Sequence, residues 1–179
     1  KPEGWGLLNM LMDSRTGLGR FREFKISNYQ LMMQLIDYCG NHTVDQIVAF
    51  PDVKERVDLY FDHEGKFKDQ FKRCSTVTGN LVVFDLRNEE TINAGNRFMI
   101  YALFPDCNIS IHILWGLNKL NTVLATGKSI LNKTSNTNIG ELMLKYDSGG
   151  HENAVTCQVE NEDTDRVLAE LTAKITADG

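Results

Sequence analysis

The sequence predicts an α/β fold in which a helical linker region is followed by a mixed β-sheet domain packed with helices. Two observations support this prediction. Up to about residue 73, apolar residues recur at helical spacings of three, four and seven. After Gly79 the pattern changes to short apolar runs and to alternation with a period of two, which is typical of strands. We therefore divide the chain into a helical linker or interdomain segment at 1–76 and a sheet domain at 77–179.

The first segment, residues 1–76, contains sequence signals for the start of helices. Two Ser/Thr-x-x-Gln sequences, at 27–30 and 43–46, match the capping box, in which two residues satisfy each other's backbone donors at a helix N-terminus. Pro51 is expected to end the second of these helices, because proline disrupts a helix interior. Residues 52–73 then predict a long amphipathic helix. Residues 1–26, interrupted by glycines, are expected to pack on other parts of the protein without forming an element of their own.

The second segment alternates strands with helices. The order β-α-β-β-α-β-α implies one mixed sheet with helices packed on it, because each apolar sheet face must be covered. The predicted elements are strands at 81–86, 109–113, 122–129 and 154–159, helices at 96–104, 139–146 and 163–175, and a turn at Gly149-Gly150.

Composition and charge disfavour several classes of protein. With 42% hydrophobic and 24% charged residues, the chain has ordinary globular composition, and no apolar run approaches the roughly 20 residues of a membrane helix. The net charge of −5 disfavours a protein that covers a nucleic-acid backbone. Four scattered cysteines, with no basic and apolar leader before Trp5, indicate reduced thiols and a cytoplasmic location. Because the chain starts at Lys1 without an initiator Met, we expect a piece of a longer protein.

The strongest local signal is the sequence Gly149-Gly150-His151 between a predicted helix and a predicted strand. Glycines let backbone N–H groups converge on an anion, since no Cβ blocks the approach. A histidine beside them can donate a hydrogen bond to phosphate and can share its charge near neutral pH. The pattern therefore predicts an anion-binding loop, and a plain glycine turn with a surface histidine remains the alternative.

Two further residues are candidate substrate contacts. The guanidinium of Arg97 could bind phosphate oxygens with two hydrogen bonds, but without other context a surface arginine or a helix-end charge is the preferred interpretation. His112 lies on a predicted strand, where a lone histidine is more often a hydrogen-bonded structural residue than a ligand.

Two other patterns are not interpreted as sites. Gly127-Lys128-Ser129 resembles the end of a P-loop but lacks the earlier glycine, because position 122 is threonine. Asp62-His63-Glu64 is expected on a solvated helix face, where lysines follow it. No Cys/His spacing fits zinc, so the sequence predicts no metal site in this chain.

The Gly-Gly-His sequence also resembles a known family. Residues 138–146, followed by the Gly-Gly-His-x-Asn-Ala sequence at 149–154, are similar to the C-terminal domain of the DHH-family phosphoesterases, which include RecJ-type nucleases and nano-RNases. Residues 95–105, 15–21 and 26–29 resemble the exopolyphosphatase-related branch of that family. The resemblance covers nearly the whole chain and identifies it as linker helices plus a DHH-associated domain.

That resemblance implies a division of labour. The metal-ligating Asp and His residues of the family, for Mn²⁺ or Mg²⁺, belong to a separate N-terminal DHH domain, so this chain alone is expected to hold no cofactor and to be inactive. Its expected role is to bind the substrate through Gly149, Gly150 and His151. The expected partners are that N-terminal domain and a phosphorylated small molecule, a short oligonucleotide or polyphosphate, with no membrane involved.

Two departures from the family pattern affect the expected site. The family loop usually has four glycines before its histidine, whereas Asp147 and Ser148 occupy the first two positions here. A carboxylate there opposes a phosphate placed beside it. Many relatives carry an arginine where this chain has His112. The substrate therefore stays open among polyphosphate, nano-RNA, a nucleoside bisphosphate and a cyclic dinucleotide. A nucleotide- or RNA-binding module without catalysis is the alternative function, and the oligomeric state is also open.

Overall fold

The computed structural model of the chain describes residues 2–19 and 22–179, which form two compact units. Unit 1 extends to Gln70 and includes Thr91–Arg97, whereas unit 2 comprises Phe71–Glu90 and Phe98–Gly179. The predicted division at 76/77 stays a prediction about domains. Of the family-like segment at 15–21, Arg20 and Phe21 lie outside the described residues. No helix in the described ranges is both long and apolar enough to cross a membrane.

Helices form unit 1, and their N-termini follow from the sequence. They are α1 (Gly4–Met12), α2 (Asn28–Asn41), α3 (Val44–Ala49) and, up to residue 70, α4 (Pro51–Cys74). Both predicted capping boxes are confirmed: Ser27 Oγ accepts a hydrogen bond from the Gln30 N–H at 3.1 Å, and Thr43 caps α3 in the same way. Helix α3 ends before Pro51, which instead occupies the first position of α4, where its missing N–H is not needed.

Helix α1 shows that one prediction was wrong, because residues 1–26 do contain a helix. Its apolar side chains Leu7, Leu8 and Leu11 are buried in the core of unit 1. Two glycines in a nine-residue helix give it little intrinsic stability. Tertiary burial therefore explains why the helix forms.

The segment Thr91–Arg97, here called the strap, is fastened to helix α4 within unit 1. The Ala94 N–H donates to Nδ1 of His63 at 3.0 Å, and the Gln70 amide bonds the strap once as donor and once as acceptor, at 2.8 and 3.0 Å. The solvated position predicted for His63 is therefore wrong, since its residue is only 7% exposed. A periodicity argument on α4 misses this, because the strap arrives from a distant part of the sequence.

Unit 2 contains a mixed sheet, as predicted. In the described residues it has six strands in the order β1-β2-β3-β4-β6-β5, with β2 and β3 parallel and the other neighbours antiparallel. The strands are β1 (Ser75–Thr78), β2 (Leu81–Asp85), β3 (Ile109–Trp115), β4 (Thr122–Lys128), β5 (Gly149–His151) and β6 (Ala154–Val159). The helices are α5 (Met99–Leu103), α6 (Ile139–Met143) and α7 (Thr164–Asp178).

One face of this sheet is packed by helices α6 and α7. Their buried side chains Ile139, Met143 and Leu171 form one core with the alternating isoleucines of β3, which are fully buried. On the opposite face, the outer residues of β6, such as Thr156 and Gln158, are exposed, which matches the alternation expected for a strand with one covered face. The second face is therefore open at the β5–β6 end of the sheet.

Two strands were not predicted. Strand β1 continues directly from helix α4 and pairs with β2, so no turn residue marks its beginning. Gly149 and Gly150 were predicted as a turn, but they lie in β5, and the turn of the hairpin falls at Glu152 and Asn153. Glycine has low strand propensity, so local sequence argued against β5, and pairing with β6 overrides that preference.

Candidate functional site

The Gly-Gly-His sequence forms the outer strand of a hairpin. Gly150 lies opposite Val155, and His151 lies opposite Ala154. A Cβ at Gly150 would come within 2.5 Å of the Ala154 carbonyl oxygen and 2.8 Å of the Val155 Cα, so only glycine lets the strands pair this closely. A Cβ at Gly149 would meet nothing within 4 Å, and both glycines are exposed. The backbone of this strand is therefore open to a ligand.

The start of helix α6 packs against the hairpin turn. The Ile139 N–H donates to the Glu152 carbonyl oxygen at 3.2 Å. Gly140 follows, where a Cβ would lie 3.2 Å from the carbonyl carbon of His151. Asn138 caps the helix through its side chain, which accepts from the Glu141 N–H at 3.2 Å. These contacts hold the turn in place without a large side chain near it.

His151 is exposed at the mouth of the turn. Its Nδ1 accepts a hydrogen bond from the Asn153 N–H at 3.4 Å. In the neutral imidazole the proton therefore resides on Nε2, which can donate to an anion. The hairpin thus presents one side-chain donor beside an open glycine backbone.

The residues that replace the two family glycines have clear structural roles. Asp147 adopts a left-handed conformation with φ of 48°, which Asp, with its short polar side chain, tolerates better than most residues. Ser148 Oγ donates to the Met143 carbonyl oxygen at 2.5 Å and so joins β5 to the end of α6. The Asp147 residue is exposed, and its carboxylate contributes a negative charge close to the glycines.

A cavity of about 530 Å³ adjoins the hairpin turn, and sequence reasoning missed it. Its lining residues are mostly polar and come from the turn and from the segment that follows β4: Lys128, Ser129, Ile130, Asn132, Lys133, Ser135, Glu152 and Asn153. The Lys128 N–H donates to the Asn153 carbonyl oxygen at 2.9 Å, which joins the two parts of the wall. The sequence signal that could have indicated this cavity was the pair Lys128-Ser129, which was interpreted above only as an incomplete P-loop.

His112 lies on the same sheet as the hairpin but at a distance from it. The register runs from His112 through Ala125 and Thr156 to Gly149, so these residues share one face and one level of the sheet. Three strand spacings of about 4.8 Å separate the ends, which is roughly 14 Å. The half-buried His112 ring packs edge-on against Phe84, with ring centroids 5.3 Å apart.

Arg97 belongs to unit 1, at the end of the strap. Its backbone N–H donates to the Arg15 carbonyl oxygen at 3.3 Å, and the residue is exposed. The Arg15 side chain forms an ion pair with Asp13, which lowers the pKa of that carboxyl, chiefly through this hydrogen bond. The predicted site residues are thus divided between two units, with only the Gly-Gly-His residues adjacent to one another.

The arrangement of the possible ligand residues also bears on metal binding. No group of three His, Cys, Asp or Glu residues in the described part of the chain is arranged to hold a metal ion. In His63, Nδ1 is occupied by the strap, and burial lowers the pKa of the ring, with the positive charge of Arg22 lowering it further. The residues present therefore do not fit the Mn²⁺ or Mg²⁺ of the resembled family.

Comparisons with known proteins give related structures. No family model and no curated protein matches the chain. A pGpG-specific phosphodiesterase, PggH, from Vibrio cholerae is 61% identical, with a TM-score of 0.83; the match covers 99% of this chain and 59% of that one. The chain thus spans less than two thirds of that relative's length.

Two more distant structures show similarity of fold. An exopolyphosphatase-related protein from Bacteroides fragilis is 15% identical over 83% of this chain and 43% of its own, with a TM-score of 0.50. CDC45 from Entamoeba histolytica is 8% identical over 93% of this chain and 37% of its own, also with a TM-score of 0.50.

Proposed function

We propose that this chain belongs to the DHH family of phosphoesterases and that it forms the substrate-binding part of a metal-dependent phosphohydrolase. The observation that carries the proposal is the β5–β6 hairpin, in which Gly149 and Gly150 leave the backbone open beside the exposed imidazole of His151. Backbone N–H groups and a histidine donor suit the oxygens of a phosphate group.

The chemistry is divided between this chain and the rest of the protein. We assign the Mn²⁺ or Mg²⁺ that the family resemblance implies to a DHH domain outside this chain; no three His, Cys, Asp or Glu residues in the described ranges are arranged to hold it. Within this chain, the hairpin orients the phosphate, and the Nε2–H of His151 donates to one of its oxygens. Fixing the reacting phosphate in this way lowers the entropy cost of the reaction. The chain alone is expected to bind substrate and to hydrolyse nothing.

The proposed substrate is a short phosphorylated oligonucleotide. The 61% identical relative is named for its action on pGpG, and the identity extends over nearly all of this chain. Arg97, which belongs to unit 1, and His112, which lies three strand spacings from β5 in unit 2, are proposed as further contacts. We also propose a cytoplasmic location, which is supported by four free cysteines, two of them buried.

The decisive experiment is a turnover assay with the full-length protein in Mn²⁺ and in Mg²⁺. The substrates are pGpG, a longer oligoribonucleotide, a nucleoside bisphosphate, a cyclic dinucleotide and polyphosphate. His151→Ala is compared with His42→Ala, a matched control at another exposed histidine. We expect pGpG to turn over, and we expect His151→Ala to lower the rate at least tenfold, equivalent to one charge-assisted hydrogen bond, while His42→Ala leaves it unchanged.

Two results would contradict the proposal. If the full-length protein binds a nucleotide but hydrolyses none of the substrates, the alternative function, a non-catalytic nucleotide- or RNA-binding module, is supported instead. Metal-dependent hydrolysis by the 179-residue chain alone would show that the division of labour is wrong.

A further inference from the structure

We infer that the cavity beside the hairpin is a second anion subsite, which takes the nucleoside phosphate adjoining the phosphate held by His151. This inference rests on the proposed function and deepens it. It names the substrate class as a ligand with two phosphate groups joined through a nucleoside, such as a 5′-phosphorylated dinucleotide. Glu152 and Asn153 line the cavity and directly follow His151, so the two subsites share one turn.

The size of the cavity argues for more than a single ion. Its volume of about 530 Å³ lies within the roughly 300–1,000 Å³ of typical small-molecule sites. A water molecule occupies about 30 Å³, so an inorganic phosphate would leave most of the cavity empty. The apolar side chain of Ile130 and the amide groups of Asn132 and Asn153 add surface for a sugar or a base. A nucleotide therefore suits the space better than an isolated anion.

The wall of the cavity is held in shape before any ligand binds. Ser129 Oγ accepts hydrogen bonds from the backbone N–H groups of Leu131 and Asn132, at 3.1 and 3.0 Å. At the other end of this segment, Thr137 donates to the carboxylate of Asp178 at 3.2 Å. A binding loop that is tied at both ends loses little conformational freedom on binding, which favours affinity.

The charges of the cavity favour one phosphate group. Lys128 lies 3.6 Å from the Glu152 carboxylate and is partly neutralised by it. Lys133 is exposed, and no carboxylate in the described residues lies within ion-pair distance of its amine. Two lysines and one glutamate leave a net charge of +1. One available cation matches one phosphate, whereas polyphosphate would bring a negative charge on every unit.

The test measures binding to the full-length protein with metal chelated, so that no substrate is consumed. The probes are pGpG, GMP and inorganic phosphate, and affinities are measured by calorimetry. Lys133→Ala is compared with Lys72→Ala, an exposed lysine of unit 2 that does not line the cavity. We expect Lys133→Ala to weaken pGpG about tenfold, equivalent to one lost charge-assisted hydrogen bond, and to weaken inorganic phosphate, which the hairpin also binds, much less.

Glu152→Gln provides a change of opposite sign. Removing that carboxylate takes away the ion-pair partner of Lys128 and a negative charge from the cavity wall. We therefore expect pGpG to bind roughly threefold more tightly, which is the usual size of a charge interaction at a protein surface. Thermal melts of all variants control for folding.

The outcomes separate this inference from the proposed function. If pGpG affinity is unchanged in both cavity variants while His151→Ala still loses turnover, the cavity is not a subsite and the proposed function stands. If Lys133→Ala weakens inorganic phosphate as strongly as pGpG, the cavity holds the only phosphate and the two-subsite arrangement is wrong. If pGpG does not bind the unmodified protein at all, the two-subsite arrangement is wrong, whereas the proposed function is decided by the turnover assay.

Discussion

We expect a substitution by alanine to have very different effects on stability at the two glycines of β5. Gly150→Ala places a Cβ 2.5 Å from the Ala154 carbonyl oxygen and 2.8 Å from the Val155 Cα. Both are backbone atoms of the paired strand, so they can move only if the hairpin opens. Gly149→Ala places a Cβ in open space, with nothing within 4 Å.

The expected free energies follow from these distances. Non-bonded carbon atoms normally approach to about 3.5–4.0 Å, so Gly150→Ala forces the strands apart by roughly 1 Å. Overpacking of this kind costs about 1–3 kcal/mol of unfolding free energy. Gly149→Ala changes an exposed position without a clash, which keeps the effect within about 0.5 kcal/mol.

Urea unfolding of the two variants measures the difference. With a slope of about 2 kcal/mol per molar urea, we expect the midpoint of Gly150→Ala to fall by roughly 0.5–1.5 M and that of Gly149→Ala to stay close to the unmodified value. Phosphate binding provides a second measurement. A Cβ at Gly149 would block the approach of phosphate to the backbone, so this variant should fold normally and bind weakly.

Equal midpoints for the two variants would refute the argument that β5 pairs as closely as described. Normal phosphate binding by Gly149→Ala would instead refute the role of its backbone in the site. The two measurements are independent, so one idea can fail without the other.

Three further predictions concern packing, pH and thiol chemistry. Gly95→Ala should lower the unfolding free energy by about 1–3 kcal/mol, because its Cβ would lie 2.3 Å from the Phe67 ring; urea unfolding measures this. Burial lowers the pKa of His63 in the folded state from its ordinary 6.5, so the folded state binds fewer protons. The stability that the neutral His63 ring contributes should therefore be fully present above about pH 6.5 and be lost as pH falls through the lower folded pKa. Unfolding free energies between about pH 7 and 5 measure this loss. Cys157, whose pKa burial raises to about 11, should resist a thiol reagent at pH 8 in the native state, whereas the exposed Cys39 should react.

Each of these predictions has a control. Gly65→Ala lies on a helix with nothing within 4 Å of the new Cβ and should stabilise the protein by up to about 1 kcal/mol. His63→Gln cannot titrate, so its stability should vary less between pH 7 and 5, and an unchanged slope would contradict the assignment. Rapid labelling of native Cys157 would show that the β6 side of the core opens more readily than its burial indicates.

Local signals in the sequence accounted for much of the fold. The capping residues Ser27 and Thr43 were sufficient to locate two helix N-termini, since a cap depends only on residues three positions apart. The period-two alternation identified β3 correctly, and the strand predicted at 122–129 corresponds to β4, which pairs with β3. The Gly-Gly-His sequence was likewise visible without a structure, because its residue types are unusual wherever they occur together.

The candidate site depended much more on long-range contacts. His112 and Gly149 share a level of the sheet only because three strand pairings align them. Lys133 and Glu152 line one cavity although no local pattern links them.

The sequence by itself therefore determined the elements whose stability is local, the helix starts and the strands with clear alternation, together with the Gly-Gly-His signal and the family resemblance. Tertiary structure alone decided that Gly149–His151 form a strand, that His63 is buried under the strap, and that a two-lysine cavity adjoins the turn. The physical reason is that burial and strand pairing between residues far apart in the chain outweigh local propensities of a few tenths of a kcal/mol to about 1 kcal/mol per residue.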